Sequence, residues 1–412
     1  MTGTGAAKRH KWAFRARFRA RAFGWRSQAA VTRVREAVAE IKKAAKSDPL
    51  LGAEGAVLFL ERVSPAIAQV DSSSGSMGSA VNRAIDALVP ILIAAPADEP
   101  SRDRWMERLW QAYVDDDMPY IERLADSWGE LCASPQRASA WADRLVEPLR
   151  VSWADHRPGR YFKGTEACLS SLLAAGRHDE LLALVDRAPF VWWHHRKYGV
   201  RALAALGRVD EAIEYAARSL GLNDHPGSMA QLCERILLEA GRADEAYERF
   251  ALSAPSETTN LAIFRALAKK YPARQPEQIL ADLIASTPGD EGKWFATAKH
   301  LKLYHLAGSL ARRSPCSPKT LNRAARDHLD SNPEFAADCA IASLHWLAAG
   351  YGYEIDSRDV SLAWQYAHEA SAGRPNEAEV HGAACRIVAG ADSFVQKILG
   401  HSAGLEGNGG GG

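Results

Sequence analysis

The stretch "ALGRVDEAIEYAARSL" (Ala205–Leu220) decides how this chain folds. Its centre, G-R-V-D-E, has two close copies, G-R-H-D-E at Gly176–Glu180 and G-R-A-D-E at Gly241–Glu245. The three glycines are 31 and 34 residues apart, a period that signals stacked helical hairpins. Before Gly241, the residues Met229, Leu232, Cys233, Ile236, Leu237 and Ala240 recur at helical spacing and form one apolar stripe. Glycine then ends the helix, because it adopts the left-handed backbone without a steric penalty. The Asp-Glu pair opens the next helix, where carboxylates cap free N–H groups and favour the positive end of the helix dipole. After Gly207, Val209, Ala212, Ile213, Ala216 and Leu220 make the buried stripe of that second helix, and Ala212 and Ala246 occupy matching sites that let two helices approach closely. The pentapeptide thus reads as stop, reverse and restart, and its acids read as caps in preference to catalytic groups.

The stretches "AAGRHDELLALVDRA", "ALGRVDEAIEYAARS" and "EAGRADEAYERFALS" resemble the turn and second helix of the tetratricopeptide-like repeat family, over about Gly164 to Leu252. The first helices depart from that pattern: Val200 and Glu234 stand where the family favours a small residue, and the closing proline is missing near Asp224. The resemblance implies a right-handed stack of helix pairs with a concave groove that holds partner peptides or proteins.

Periodicity and breakers extend the helical reading in both directions. Downstream, Ile279–Ala285, Lys293–Arg313, Pro333–Ala349, Asp359–Ala372 and Glu377–Val388 read as helices; upstream, Gln28–Lys46, Gly55–Gln69, Ala80–Ile93, Arg102–Tyr113, Tyr120–Leu131 and Ala138–Leu149 do so. No segment alternates convincingly as a strand. The expected fold is all-α, an α-solenoid of stacked helical hairpins. Its expected parts are a basic arm (1–27), an N-terminal helical region (28–155), the repeats (156–392), and the end of the last helix with a Gly-rich tail (393–412). The terminal glycines could serve for conjugation through the tail carboxylate; a disordered end is the plainer reading.

With 412 residues, 25% charged and 47% hydrophobic, the chain is long enough for more than one core. The net charge of +1 conceals an asymmetry: the first 35 residues hold ten Lys or Arg and no acid, and the remainder holds 41 basic and 50 acidic groups. The six cysteines lie at least 23 residues apart, with no zinc-ligand spacing, which suits a reducing, cytoplasmic setting. The longest apolar run, Ala87–Ala97, is interrupted by Pro90 and Pro96, so no transmembrane or secretory segment is expected.

The arm "KRHKWAFRARFRARAFGWR" (Lys8–Arg26) is the most unusual stretch. As a helix it lines up Phe14, Phe18 and Trp25, flanked by Arg15, Arg19 and Arg26 on one side and Arg17 and Arg21 on the other. As a strand it sets Arg15, Arg17, Arg19 and Arg21 opposite Phe14 and Phe18. Either form could follow phosphates with Arg while aromatics stack on bases, or lie on an anionic membrane. Docking on the acidic body, a disordered arm and a cleaved transit peptide are the alternatives.

"FVWWHHRKYG" (Phe190–Gly199) precedes a repeat helix and offers Trp192, Trp193, His194, Arg196 and Tyr198 as contacts for a protein or peptide partner, since Trp, Tyr and Arg dominate binding hot spots. Inter-repeat packing is the alternative. His194 and His195 are adjacent and point about 100° apart on a helix, so they chelate one metal poorly. "DDD" (Asp115–Asp117) before Met118-Pro119 reads as a loop and helix cap, and "SSSGSMGSAVNRA" (Ser72–Ala84) as a flexible linker. Hydrolase, zinc-protease, kinase, P-loop and dinucleotide motifs are absent in usable context. No metal or cofactor is expected. The functional expectation is a non-catalytic scaffold for protein–protein interaction. Its rivals are a nucleic-acid-associated protein working through the arm and an enzyme with an unrecognised site.

Overall fold

The structure, a computed structural model, describes residues 10–154, 161–221, 224–254, 257–400 and 402–403. Among these residues it is all-α, with no strand. The expected helices are present except those over Tyr120–Leu131 and Lys293–Arg313, and most run a few residues past the expected ends. The chain forms two compact units, 1–236 and 237–412. The expected parts divided it differently, at 27/28, 155/156 and 392/393. The end of the Gly-rich tail, with its diglycine, lies outside the described residues.

The first unit begins with α1 (Ala13–Arg17), α2 (Ser27–Ser47), α3 (Pro49–Ile67), α4 (Ser76–Ala94) and α5 (Glu99–Val114). Helix α2 packs on α3 and α4, and α3 packs on α5. Among the described residues, one helix, α4, is long and apolar enough by composition to cross a membrane. Its residues Met77, Val81, Ile85, Leu88 and Leu92 are buried inside this unit. The start of α4 also corrects the linker reading of Ser72–Ala84: Gly75, at φ 68°, ends the turn, and Ser76 onward is helix.

A 3₁₀ turn (Glu122–Ser127) and the short α6 (Trp128–Leu131) replace the single helix expected over Tyr120–Leu131. Asp116 is not a helix cap, and no helix starts at Pro119. Its carboxylate is buried, accepting from the Ser64 hydroxyl and, at 2.8 Å, from the Ile121 N–H. Then follow α7 (Pro135–Ala154), α8 (Thr165–Ala174), α9 (His178–Val185), α10 (Trp193–Ala205) and α11 (Val209–Ala217). Each of α8 to α11 contacts its neighbour in sequence, and α10 also reaches back to α8. The division between units falls within α12 (Pro226–Glu239).

The three repeated turns share one geometry. Gly176, Gly207 and Gly241 have φ of 73°, 77° and 75°. In each, the N–H of the following Arg bonds back five residues: Arg177 to Leu172 O (3.0 Å), Arg208 to Leu203 O (2.9 Å) and Arg242 to Leu237 O (2.8 Å). This double-bonded helix end satisfies carbonyls that would otherwise lack partners. The expected role of the aspartate is corrected. Arg177, Arg208 and Arg242 stand at the cap positions, and no side chain caps there. The Asp-Glu pairs lie in the first turn, and each Glu takes the Arg three residues before it, Arg177 to Glu180 and Arg242 to Glu245 both at 2.6 Å. Arg208 does the same with Glu211, its Nε at 2.8 Å.

The second unit contains α13 (Ala243–Ala246), which runs into a π turn at Tyr247–Ala251, then α14 (Asn260–Lys270), α15 (Pro276–Ala285), α16 (Phe295–His300), α17 (Tyr304–Arg313), α18 (Pro318–His328), α19 (Pro333–Ala348), α20 (Ser357–Ser371), α21 (Glu377–Ala389) and α22 (Ser393–Leu399). Helix α19 packs against α18, α20 and α21. The single helix expected over Lys293–Arg313 is broken. Lys302 has φ 60°, and the Leu303 N–H bonds to Ala298 O at 3.0 Å. This is the repeated turn with lysine in the glycine position. Gly350, at φ 76°, makes a further copy, with the Tyr351 N–H on Trp346 O at 2.8 Å.

Candidate functional site

The basic arm does not present its aromatic stripe. Only Ala13–Arg17 is helical, and Phe14 and Phe18 are almost fully buried, with ring centroids 5.9 and 5.3 Å from Phe59. Trp12 seats on the backbone of α3 where a Cβ on Gly55 would meet the indole at 2.4 Å. Glu40 caps α1 by accepting from Ala13 N–H at 2.7 Å and Phe14 N–H at 3.1 Å. Arg17 pairs with Glu36 at 2.7 Å, and the Arg21 N–H bonds to Pro65 O at 2.8 Å. The readings of this arm as one continuous helix or strand, with Phe14 and Phe18 free to stack on bases, are therefore corrected. The apolar side chains gain more by burial against α2 and α3 than by facing water. Arg15, Arg17, Arg19, Arg21, Trp25 and Arg26 stay exposed.

The Phe190–Gly199 stretch splits in two. Trp193 and Tyr198 are buried, and Arg196 is held by Asp186 (2.7 Å) and the Tyr215 hydroxyl (2.6 Å). These three expected contact residues are structural. Trp192 and His194 are exposed and line a cleft of about 540 Å³ within the first unit. That volume lies in the range of small-molecule and side-chain pockets.

The cleft draws on separate places in the sequence, among them α4, which supplies Asn82. The wall of α7 supplies Trp153; the chain entering α8 supplies Tyr161 and Phe162, and α8 itself supplies Glu166. The 3₁₀ turn supplies Glu122 and Asp126, and the entry to α10 supplies Phe190, Trp192, His194 and His195. Phe190 and Trp192 stack at 5.8 Å with planes 21° apart, and both remain about half exposed. The His195 ring has the Trp153 indole at 5.5 Å and the Trp192 indole at 5.6 Å.

Three carboxylates converge on the cleft. Asp126 takes Lys197 at 2.7 Å and the Tyr198 hydroxyl at 3.1 Å. Glu122 accepts from the Tyr161 hydroxyl at 3.1 Å. Glu166 Oε1 lies 3.5 Å from His195 Nε2, while Glu166 Oε2 and His195 Nδ1 are buried and have no hydrogen-bond partner among the described residues. The cleft's arginine, Arg123, is already engaged by Asp86 at 2.7 Å. Among the described residues, no cation pairs with Glu122. The negative field is registered by neighbouring phenols. Burial, then the charges of Glu122 and Glu166, push the Tyr161 hydroxyl up; burial, then Asp126 and Glu166, push Tyr198 up.

Sequence reading did not find Glu122, Asp126, Trp153, Tyr161 or Glu166. Among the described residues, no group of three or more His, Cys, Asp and Glu side chains is placed to hold a metal ion. Comparison with protein-family models, curated proteins and solved structures finds no match.

Proposed function

We propose that this chain is a non-catalytic binding scaffold, an α-solenoid of tetratricopeptide-like helix pairs, whose first unit holds a segment of a partner protein in the aromatic cleft. The observation that carries this reading is the stacked, half-exposed Phe190–Trp192 pair at an open concavity. Large rigid aromatics beside a concave, partly polar site supply binding area at little entropic cost. The repeated turns and the sequential packing of α8 to α11 support the solenoid part of the reading.

The test is a photo-reactive residue at Val191, which is exposed between the two rings. Irradiation in extracts of the native cell yields a cross-linked protein segment, and Trp192→Ala abolishes it. Absence of any protein cross-link overturns the reading. So does recovery of nucleic acid alone, lost on Arg15→Glu with Arg19→Glu and weakened by salt; that result establishes the arm as the binding element.

A further inference from the structure

The cleft brings together aromatic faces and two carboxylates, Glu122 and Glu166, that pair with no Lys or Arg among the described residues. Glu122 accepts from a phenol, and Glu166 keeps one buried oxygen without a donor among the described residues. A buried carboxylate oxygen left without a partner costs free energy, which an incoming donor recovers. Trp192 and Phe190 offer π faces at the same opening.

The chain already shows what fills such a setting. Arg144 lies 4.4 Å over the Trp141 ring and pairs with Glu107 at 2.6 Å. Arg196 lies 5.5 Å over Tyr215 and pairs with Asp186 at 2.7 Å. Arg274 lies 4.0 Å over Tyr247 and pairs with Asp244 at 3.1 Å. In each, a guanidinium stacks on a ring and donates to a carboxylate, the combination for which its planar, delocalised charge is suited. The cleft holds the ring and the carboxylate of that arrangement.

We infer that the cleft recognises an arginine side chain of the partner segment, stacked on Trp192 and donating to Glu166. This rests on the docking reading above and adds the chemistry of the guest. The guanidinium provides donors for Glu166 Oε2 and leaves the aliphatic stem against Phe190 and Trp192.

The probe is the peptide acetyl-Gly-Arg-Gly-amide, titrated into the full chain and followed by tryptophan fluorescence and NMR. The neutral isostere acetyl-Gly-citrulline-Gly-amide and the free polyamine spermidine are run beside it. The arginine peptide binds, and the citrulline peptide binds at least about tenfold more weakly, as expected for losing a charge-assisted contact. Glu166→Gln weakens the arginine peptide by about tenfold, and Trp192→Ala by a similar factor, with circular dichroism unchanged. Equal binding of the citrulline peptide overturns the inference, as does binding of spermidine in preference to the arginine peptide. The chain's own "DHRPGR" (155–160) carries two arginines. Binding that appears only in Arg157→Ala with Arg160→Ala makes the guest the chain's own segment and overturns a partner's arginine. If the Val191 cross-link captures a protein segment while the arginine peptide fails, the scaffold reading stands and the guest chemistry is wrong. If both fail, the docking reading itself falls.

Discussion

Replacing Gly207 with alanine isolates the energy of a repeated turn. The residue has φ 77°, and a Cβ built there meets nothing within 4 Å, so no steric clash with neighbours enters. An L-residue in the left-handed region costs roughly 1–2 kcal/mol. Alanine also restricts the unfolded chain, which returns roughly 0.4–1 kcal/mol. The net expectation is a loss of about 1 kcal/mol for Gly207→Ala. Gly207→Asn loses less, because asparagine tolerates this conformation. Lys302 supplies the mirror experiment, since it holds φ 60° without being glycine. Lys302→Gly relieves the strain and spends part of the gain on chain entropy, for a net stabilisation of about 0.5–1 kcal/mol. The two positions lie in different compact units, so the effects act on separate parts of the chain. Urea unfolding followed by circular dichroism measures each. If alanine and asparagine at position 207 destabilise equally, or if Lys302→Gly destabilises, backbone conformation does not set the energy of these turns.

Three further outcomes follow from the same structure. Phe18→Ala lowers stability by about 3–5 kcal/mol, the cost of emptying a fully buried aromatic site; a neutral result in thermal unfolding would return the arm to the surface. Burial raises the Asp116 carboxyl above its ordinary value, with Ser64 and Ile121 opposing it. The folded state therefore holds that proton more tightly than the unfolded state, so this group's contribution to stability falls as pH rises from the ordinary aspartate value through its folded value. Asp116→Asn removes that segment of the pH–stability curve, and an unchanged slope would refute the assignment. Iodoacetamide in native conditions labels Cys385 first, because it alone of the six cysteines is not buried, and burial pushes the thiols of Cys132, Cys168 and Cys316 up to about 12. Mass spectrometry showing prior labelling of any of those three would contradict the packing around it.

The helices were legible because each carries its own information. Apolar spacing marked α2, α5 and α19 within a few residues, and glycine marked three turns. Local signals failed where tertiary contacts set the backbone. Nothing in "KHLKLYHL" announces a reversal, yet Lys302 takes the glycine conformation because α16 and α17 pack on each other on either side of it. "DDDMP" has the composition of a cap, but Asp116 is drawn inward by Ser64, which is 52 residues away. The basic arm hid its burial in the same manner: Phe14 and Phe18 show a helical spacing, and only Phe59 and Gly55 disclose which surface they cover.

The cleft illustrates a subtler failure, because a signal for it was present. Helix α8, "TEACLSSLLA", buries Thr165, Ala167, Cys168, Leu169, Ser170, Ser171 and Leu172. A helix covered on nearly every side has no water-facing stripe. Its one charged residue, Glu166, must then face a partner or a cavity, since an ionised carboxylate is not left in an apolar interior. "FVWW" carries the complementary signal. Four consecutive large apolar residues leading into a helix cannot share one buried face, and the structure buries Trp193 and leaves Phe190, Val191 and Trp192 exposed. Read together, an acid with no exposed face and aromatics with no buried face point to one concavity. That they meet, with His195 3.5 Å from Glu166 and 5.6 Å from Trp192, is supplied by the packing of α10 on α8, which no local spacing encodes.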